Sequence, residues 1–174
     1  MTKYILFALC ACILVSWQSG NGIYDISIHK LDGSSVDLGS FAGKKIVVAE
    51  FDPGNYNDTM LRTLDTLQRE DATIVVILVP AKDFSSSSGN AAIRKIVSAL
   101  DLSFIVTQPA FVKKSSGNNQ QDLFSWLTHV NANTHFDDDA DEPGQIYLVN
   151  GNGILYALLD NGTPISLIKD LINQ

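Results

Sequence analysis

Two short segments near the N-terminus, residues 24–29 and residues 35–38, alternate apolar and polar side chains with a period of two. Residues 31–33, Leu-Asp-Gly, supply a turn between them, so the pattern predicts a β-hairpin. Two nearly continuous apolar runs follow, at residues 46–51 and residues 73–79. Such runs are typical of parallel strands that are covered on both faces of a sheet.

Apolar residues recur at helical spacing in four further segments. The four sets are Met60, Leu61, Leu64 and Leu67; Ala92, Ile93, Ile96, Val97 and Leu100; Leu123, Phe124, Leu127 and Val130; and Ile165, Ile168, Leu171 and Ile172. The first helix lies between the two apolar runs, with Asn57 or Asp58 as N-cap, and predicts a right-handed βαβ unit. Asn90 stands before the second helix. Thr163 and Pro164 open the last helix as N-cap and first helical residue.

Three more strands complete the pattern. Residues 103–107 form a short strand, and residues 145–149 and 154–159 flank Asn-Gly-Asn-Gly at residues 150–153, a strong hairpin signal. The order βαβ, connecting helices, ββα resembles that of the thioredoxin fold with an N-terminal hairpin. This order predicts an α/β fold with a central mixed sheet flanked by helices. Because no internal repeat is visible, we expect a single domain.

The N-terminus has the parts of a secretory signal peptide. Lys3 provides the positive charge, residues 4–15 form the apolar centre, and small or polar residues follow. The apolar run is too short for a membrane-spanning helix. We therefore expect residues 1–20 to be a signal peptide and residues 21–174 to be the mature domain. The domain is expected to be periplasmic or extracellular, with no stable membrane insertion after signal cleavage.

Both cysteines of the chain, Cys10 and Cys12, lie in this apolar N-terminal run. Removal of the signal peptide leaves a domain without any thiol, and therefore without a cysteine nucleophile. Two alternatives stay open for this segment. In the first, the segment is a buried N-terminal helix. In the second, Cys12 is lipidated after a short apolar run.

The chain is acidic, with 12 Lys and Arg against 19 Asp and Glu and a formal net charge of −7. Removal of residues 1–20 takes away Lys3 and no acid, so the net charge becomes −8 (−7 − 1). This balance excludes nucleic acids and anionic membranes as partners, because no basic stripe is present to neutralise phosphates. The expected partner is an unidentified protein or small molecule.

Four segments in order resemble the glutathione peroxidase family. Residues 23–33, beginning Ile-Tyr-Asp-Ile and ending Leu-Asp-Gly, resemble its opening hairpin. Residues 41–48 resemble its first core strand, residues 124–128 a helix that often ends Lys-Trp-Leu, and residues 145–153 its late strand and turn. The resemblance covers essentially the whole mature chain. It implies a thioredoxin-like fold of glutathione peroxidase type and a family activity of hydroperoxide reduction.

The active-site motifs depart from that family. Asn55 stands at the position of the catalytic Cys or selenocysteine, and Asp83 at that of the catalytic Gln. Glu142 and Pro143 replace the catalytic Trp and Asn. An amide forms no sulfenic acid and is not a nucleophile towards peroxides. The resemblance therefore implies a divergent member that lacks the catalytic tetrad, with no catalytic residue and no cofactor.

Two functions from different classes follow from this reading. The first is a non-catalytic binding or structural module that has lost peroxidase activity. The second is a peroxidase or other oxidoreductase of the oxidative-stress response with residual or altered chemistry. Hydroperoxide turnover discriminates between them, since only the second requires a reacting group.

The resemblance also implies where the departing residues lie. Asn55, Asp83, Asp141 and Glu142 are expected to converge near one end of the sheet. Pro143 directly precedes a late core strand, where thioredoxin folds place a cis-proline beside the active centre. The hypothesis is therefore a cis peptide bond at Glu142–Pro143.

Five acids within six residues form the sharpest local feature of the chain. Asp137, Asp139 and Asp141 are weak candidate ligands for Ca²⁺ or Mg²⁺, which prefer oxygen donors. The run fails the EF-hand pattern, because Glu142 stands at the sixth position, where Gly is needed, and Leu148 at the twelfth, where Glu is needed. A solvated acidic loop is the favoured interpretation, with a weak cation site as the alternative.

Overall fold

The structure, a computed structural model, describes residues 22–84 and 89–174. Within them the chain forms a two-stranded hairpin and a five-stranded sheet with helices on both faces. The strands are β1 (Ser27–His29), β2 (Ser35–Asp37), β3 (Lys45–Phe51), β4 (Ile74–Pro80), β5 (Ile105–Val106), β6 (Ile146–Val149) and β7 (Leu155–Leu159). The α-helices are α1 (Asp58–Glu70), α2 (Asn90–Leu100), α3 (Asp122–Thr128), α4 (Val130–Asn133) and α5 (Ile165–Ile172).

The main sheet has the strand order β5-β4-β3-β6-β7. β3 is parallel to β4 and β4 to β5, whereas β6 is antiparallel to both β3 and β7. The predicted α/β fold, a central mixed sheet flanked by helices with an N-terminal hairpin, is confirmed. Ile146, at the start of β6, pairs with Ala49 of β3 and with Leu159 of β7. The start of β6 therefore lies at the same end of the sheet as the carboxyl ends of β3, β4 and β7.

The N-terminal hairpin is present but shorter than its sequence pattern predicts. β1 and β2 are antiparallel, with Ile28 opposite Val36. Residues Ile23–Asp25, predicted in part as strand, form a 3-10 helix instead. The Asp25 carboxylate holds this turn by accepting a hydrogen bond from the Gly22 backbone N–H at 3.0 Å. The predicted strand at residues 103–107 is likewise reduced to the two residues of β5.

Alternate residues of β3 face opposite sides of the sheet and belong to two separate cores. Val47, Ala49 and Phe51 lie in the core that α1, α2 and α5 cover. Ile46 and Val48 lie in the core that α3 and the N-terminal hairpin cover. This explains the continuous apolar run in the sequence, because both faces of β3 are buried.

Asn57, one of the two residues predicted as the N-cap of α1, is its N-cap in the structure. The Asn57 side chain accepts a hydrogen bond from the Met60 backbone N–H at 3.1 Å and so satisfies one free donor of the first turn. The start of α2 differs by one residue, since Asn90 is itself helical and Gly89 is the N-cap.

Two predicted helix boundaries are wrong. Val130 does not continue α3, because His129 is extended (φ −112°, ψ 121°); Val130 begins α4 and is 44% exposed. Pro164 is the N-cap of α5 rather than its first helical residue, since its ψ of 136° is extended. Its carbonyl accepts the backbone N–H groups of Leu167 and Ile168 and so takes the role predicted for Thr163.

The predicted signal peptide at residues 1–20, with Cys10 and Cys12, lies outside the described residues. Across residues 22–84 and 89–174, no helix has both the length and the apolar character needed to cross a bilayer. The division into a signal peptide and a domain at residues 21–174 stays a prediction.

Candidate functional site

A tight turn connects the carboxyl end of β3 to the start of α1. The Asp52 side chain accepts the Gly54 backbone N–H at 2.7 Å, and its carbonyl accepts the Asn55 N–H at 3.1 Å. Asp52 therefore fixes the turn at both its side chain and its backbone. Asn55 is exposed at the edge where β3 ends and β6 begins.

A hollow of about 140 Å³ opens beside this turn, and we call it the amide hollow. Its lining residues are Phe51, Asp52, Asn55, Tyr56, Asn57, Met60, Pro143, Gly144 and Asn161. Three of them carry a carboxamide, a group that both donates and accepts hydrogen bonds. The rings of Phe51 and Tyr56 meet edge to face, with centroids 6.2 Å apart and an interplanar angle of 88°.

Gly144 allows the backbone of one wall of the amide hollow to approach Asn161 closely. Its φ of +97° lies in the region that side chains disfavour. A Cβ atom at this position would stand 2.7 Å from the Asn161 Oδ1 atom. Glycine is therefore favoured here by the backbone conformation, and a side chain would also displace the exposed Asn161 amide.

Asp83 follows the carboxyl end of β4, at the same end of the sheet as Asn55, but it does not line the amide hollow. Its Oδ2 atom accepts the Val112 backbone N–H at 2.5 Å, and its Oδ1 atom accepts the Ser116 hydroxyl at 2.9 Å. These bonds engage the carboxylate in holding the segment that follows β5. Its role in the structure is to anchor that loop.

Asp141 and Glu142 line a separate hollow of about 250 Å³, which we call the acidic hollow. Its lining residues are Asp138, Asp139, Asp141, Glu142, Gln145, Leu158 and Asp160. Pro143 and Gly144 line the amide hollow and Gln145 lines the acidic hollow, so one short segment contributes to both. The structure thus brings Asn55 together with Pro143, and Asp141 together with Glu142.

The hypothesis of a cis bond at Glu142–Pro143 is wrong. No peptide bond is cis in the described part of the chain, and this one is trans. Gly144, with its φ of +97°, provides the change of direction before β6, so the turn does not depend on the proline bond.

The three acids proposed as cation ligands have different surroundings. The Asp137 carboxylate lies 2.8 Å from the Lys114 Nζ atom, a contact that lowers the pKa of Asp137. The Asp139 Oδ1 atom accepts the backbone N–H groups of Lys114 and Ala140, each at 2.8 Å. Asp141 and Asp139 line the acidic hollow, whereas Asp137 does not. Among residues 22–84 and 89–174, no three His, Cys, Asp or Glu side chains are gathered closely enough to hold a metal ion.

Glu50 is a buried acid that the sequence analysis missed. It lies in β3 with no exposed surface, and its Oε1 atom accepts the Gln145 backbone N–H at 3.0 Å. Burial raises the pKa of Glu50 to about 8, because the carboxylate loses its hydration, and the N–H groups of Gln145 and Gly144 offset only part of this. The only sequence signal is one acid inside an otherwise apolar run of six residues.

Tyr147 adds a second buried polar group near Glu50. Its ring packs edge to face on Phe124 at 5.6 Å between centroids, and its buried hydroxyl has no hydrogen-bond partner among the described residues. Burial raises the pKa of Tyr147, and the negative charges of Glu50 and Asp139 raise it further. Val48 pairs with Tyr147, so Tyr147 and Glu50 lie on the same face of the sheet.

Comparison with known proteins identifies the fold. No protein-family model matches the chain, and no curated protein sequence matches it. The solved structure of Trgpx in its apo form is similar at a TM-score of 0.67 and 16% identity, covering 88% of this chain and 94% of that one. GPX1 of T. cruzi is similar at a TM-score of 0.63 and 13% identity, covering 88% and 95%. A secreted Mycobacterium tuberculosis disulfide oxidoreductase, homologous to E. coli DsbE, has a TM-score of 0.59 and 12% identity, covering 86% and 96%.

These similarities extend over nearly the whole of each solved chain. The glutathione peroxidases and the disulfide oxidoreductase share one architecture with this protein. The chain therefore has a thioredoxin-like α/β fold. At sequence identities of 12–16%, the structural similarity establishes the fold and nothing finer.

Proposed function

We propose that this chain is an exported protein of glutathione peroxidase type that has lost peroxidase chemistry and acts as a non-catalytic binding module. The observation that carries the proposal is Asn55 in the turn between β3 and α1, where the family resemblance expects the reacting Cys or selenocysteine. The amide hollow beside that turn supplies the binding site.

The chemistry of peroxide reduction supports this proposal. A thiolate attacks the peroxide, becomes a sulfenic acid and supplies two electrons, whereas a carboxamide has no comparable reaction. The two cysteines of the chain stand at positions 10 and 12, and residues 22–174 contain none. Asp83, at the position of the catalytic Gln, is engaged by Val112 and Ser116.

The amide hollow is suited to a small polar ligand, and the Asp52 carboxylate also lines it. Asn55, Asn57 and Asn161 offer donors and acceptors, and Tyr56 offers an aromatic wall beside them. A space of about 140 Å³ admits a few water molecules or a ligand of a few heavy atoms. The turn that Asp52 holds positions these groups for binding, and binding requires no reactive side chain.

The decisive experiment is hydroperoxide turnover by the purified protein. Hydrogen peroxide and an organic hydroperoxide are supplied, with the glutathione and thioredoxin systems in turn as reductant. We expect no turnover above a heat-inactivated sample. Turnover well above that background would contradict the proposal and favour the oxidoreductase alternative.

The matched control is the full chain with Cys10→Ser and Cys12→Ser, which removes both thiols and leaves residues 22–174 unchanged. Any activity that this variant loses belongs to the N-terminal cysteines rather than to the domain. The intact mass of the protein recovered outside the cytoplasm tests export at the same time. We expect a mass that corresponds to loss of about 20 N-terminal residues.

A further inference from the structure

Every charged side chain that lines the acidic hollow is a carboxylate, and its one amide is that of Gln145. Its five carboxylate residues come from two parts of the chain, residues 138–142 and Asp160 after β7. In the described ranges, none of the five forms an ion pair with a Lys or Arg side chain. The Lys113 Nζ atom comes near but lies 3.3 Å from the Asp141 backbone carbonyl rather than against a carboxylate.

Gln145 distinguishes this hollow from an ordinary acidic surface. The residue lines the hollow but is only 6% exposed, and in the part of the chain that the structure describes its Oε1 atom has no hydrogen-bond partner. A buried amide oxygen without a partner is less stable than a paired one, because it has lost its hydration without gaining a hydrogen bond. A ligand that donates a hydrogen bond at this position removes that cost.

The field of the acids extends into the protein behind the hollow. Burial raises the pKa of the Tyr147 hydroxyl, and Asp139, Asp138 and Asp141 each raise it further. The acids of the hollow therefore lie close enough to Tyr147 to disfavour its ionised form.

We propose that the acidic hollow binds an organic cation through a primary ammonium or guanidinium group. Such groups carry three or five N–H donors and no acceptor, which complements a wall of carboxylates and the Gln145 oxygen. Leu158 lies in the same wall and suits the methylene chain that carries the charged group.

The dimensions of the hollow favour this ligand over a bare metal ion. Calcium needs six to eight oxygens at about 2.3–2.6 Å from one point. The acids of this hollow instead surround about 250 Å³, a space for several water molecules rather than for a single ion. A charged head with an attached carbon chain fills such a space, and a polyamine or a Lys or Arg side chain of a peptide provides one.

The test is a calorimetric titration of the full-length protein with spermidine and, separately, with Nα-acetyl-lysine methylamide, at about 0.15 M salt. Tighter binding of spermidine identifies a free polyamine as the source of the cation, and tighter binding of the lysine derivative identifies a peptide side chain. We expect the double variant Asp138→Asn, Asp141→Asn to weaken binding of the preferred probe about tenfold, because two charge-assisted bonds are lost. The matched variant Glu70→Gln, Asp170→Asn removes the same charge outside the hollow and is expected to change affinity less than about twofold.

Gln145→Leu separates a built site from general attraction to an acidic protein, since it removes the amide oxygen without changing the charge. We expect this variant to weaken binding several-fold, with circular dichroism as the check on folding and Gln145→Met as the substitute if the leucine variant is unstable. Equal weakening by both charge variants, with no effect at Gln145, would overturn the proposal. It would also be overturned if neither probe binds, or if millimolar CaCl₂ at matched ionic strength displaces the bound probe. None of these results depends on hydroperoxide turnover, so this site and the proposed function are tested separately.

Discussion

Glu50 and Gln145 are joined by two hydrogen bonds between β3 and the residue before β6. The Gln145 backbone N–H donates to the Glu50 Oε1 atom at 3.0 Å, and the Glu50 backbone N–H donates to the Gln145 carbonyl at 3.2 Å. The Glu50 Oε2 atom is buried and has no hydrogen-bond partner within residues 22–84 and 89–174. A fully buried carboxyl group with one free oxygen favours its protonated form, and this has a measurable consequence for stability.

The free energy of unfolding is expected to fall as the pH rises from about 5 to about 8 because of Glu50. Its pKa is about 8 in the folded protein against an ordinary value of 4.5, so the folded state retains a proton that the unfolded state has lost. Stability then decreases by up to about 1.4 kcal/mol per pH unit in this window and is unaffected by Glu50 below it. Chemical denaturation at four pH values between 5 and 8 measures the effect.

Glu50→Gln is the matched variant, because the amide oxygen can still accept the Gln145 N–H and the group no longer titrates. The difference in unfolding free energy between wild type and variant isolates Glu50 from the other acids. A difference that stays constant from pH 5 to pH 8 would show that Glu50 is ionised in the folded protein.

Removal of the Tyr147 hydroxyl is expected to leave the stability unchanged or to raise it. The hydroxyl is buried and unpaired, and a buried unpaired polar group costs about 1–3 kcal/mol. Tyr24→Phe is the matched variant, since the Tyr24 hydroxyl donates to the Gly151 carbonyl at 2.8 Å. We expect a loss of about 1 kcal/mol there and none in Tyr147→Phe, measured by denaturant unfolding. A larger loss at Tyr147 than at Tyr24 would contradict this.

Asn57→Ala is expected to lower the free energy of unfolding by about 1 kcal/mol, because α1 loses the acceptor for the Met60 N–H. Asn57→Asp keeps an acceptor at the same place and adds a negative charge at a helix N-terminus, so we expect no loss. Thermal unfolding of the two variants side by side makes the comparison. Equal destabilisation by both would contradict a stabilising role of the Asn57 side chain as acceptor for the Met60 N–H.

The strands and helices could be predicted because they follow from local patterns. Both faces of β3 are buried, and this requires the run of apolar residues that the sequence displays. The predicted helix boundaries were wrong where the backbone conformation of a single residue ends or begins a helix. His129 is extended although the apolar spacing continues through it to Val130, and nothing in that spacing signals the break.

The candidate site was less predictable because its contacts are distant in the chain. Asn55 and Pro143 lie together as the fold resemblance implied, since β3 and β6 are neighbours. Asp83 follows β4 at the same end of the sheet, but the sequence does not show that its carboxylate binds the backbone of Val112, 29 residues later. Glu50 escaped notice because a single acid in an apolar strand has no periodicity, and only its pairing with Gln145 reveals its burial.

Gly144→Ala is expected to lower the free energy of unfolding by about 2 kcal/mol, because alanine must adopt a φ of +97°. The new Cβ atom would also lie 2.7 Å from the Asn161 Oδ1 atom, so that side chain must move out of the amide hollow. Gly162→Ala is the matched variant, since no atom lies within 4 Å of its Cβ position and its φ is not in the disfavoured region. We expect a change within about 0.5 kcal/mol there. Denaturant unfolding decides the comparison, and equal stabilities of the two variants would show that the segment between the two hollows shifts without strain.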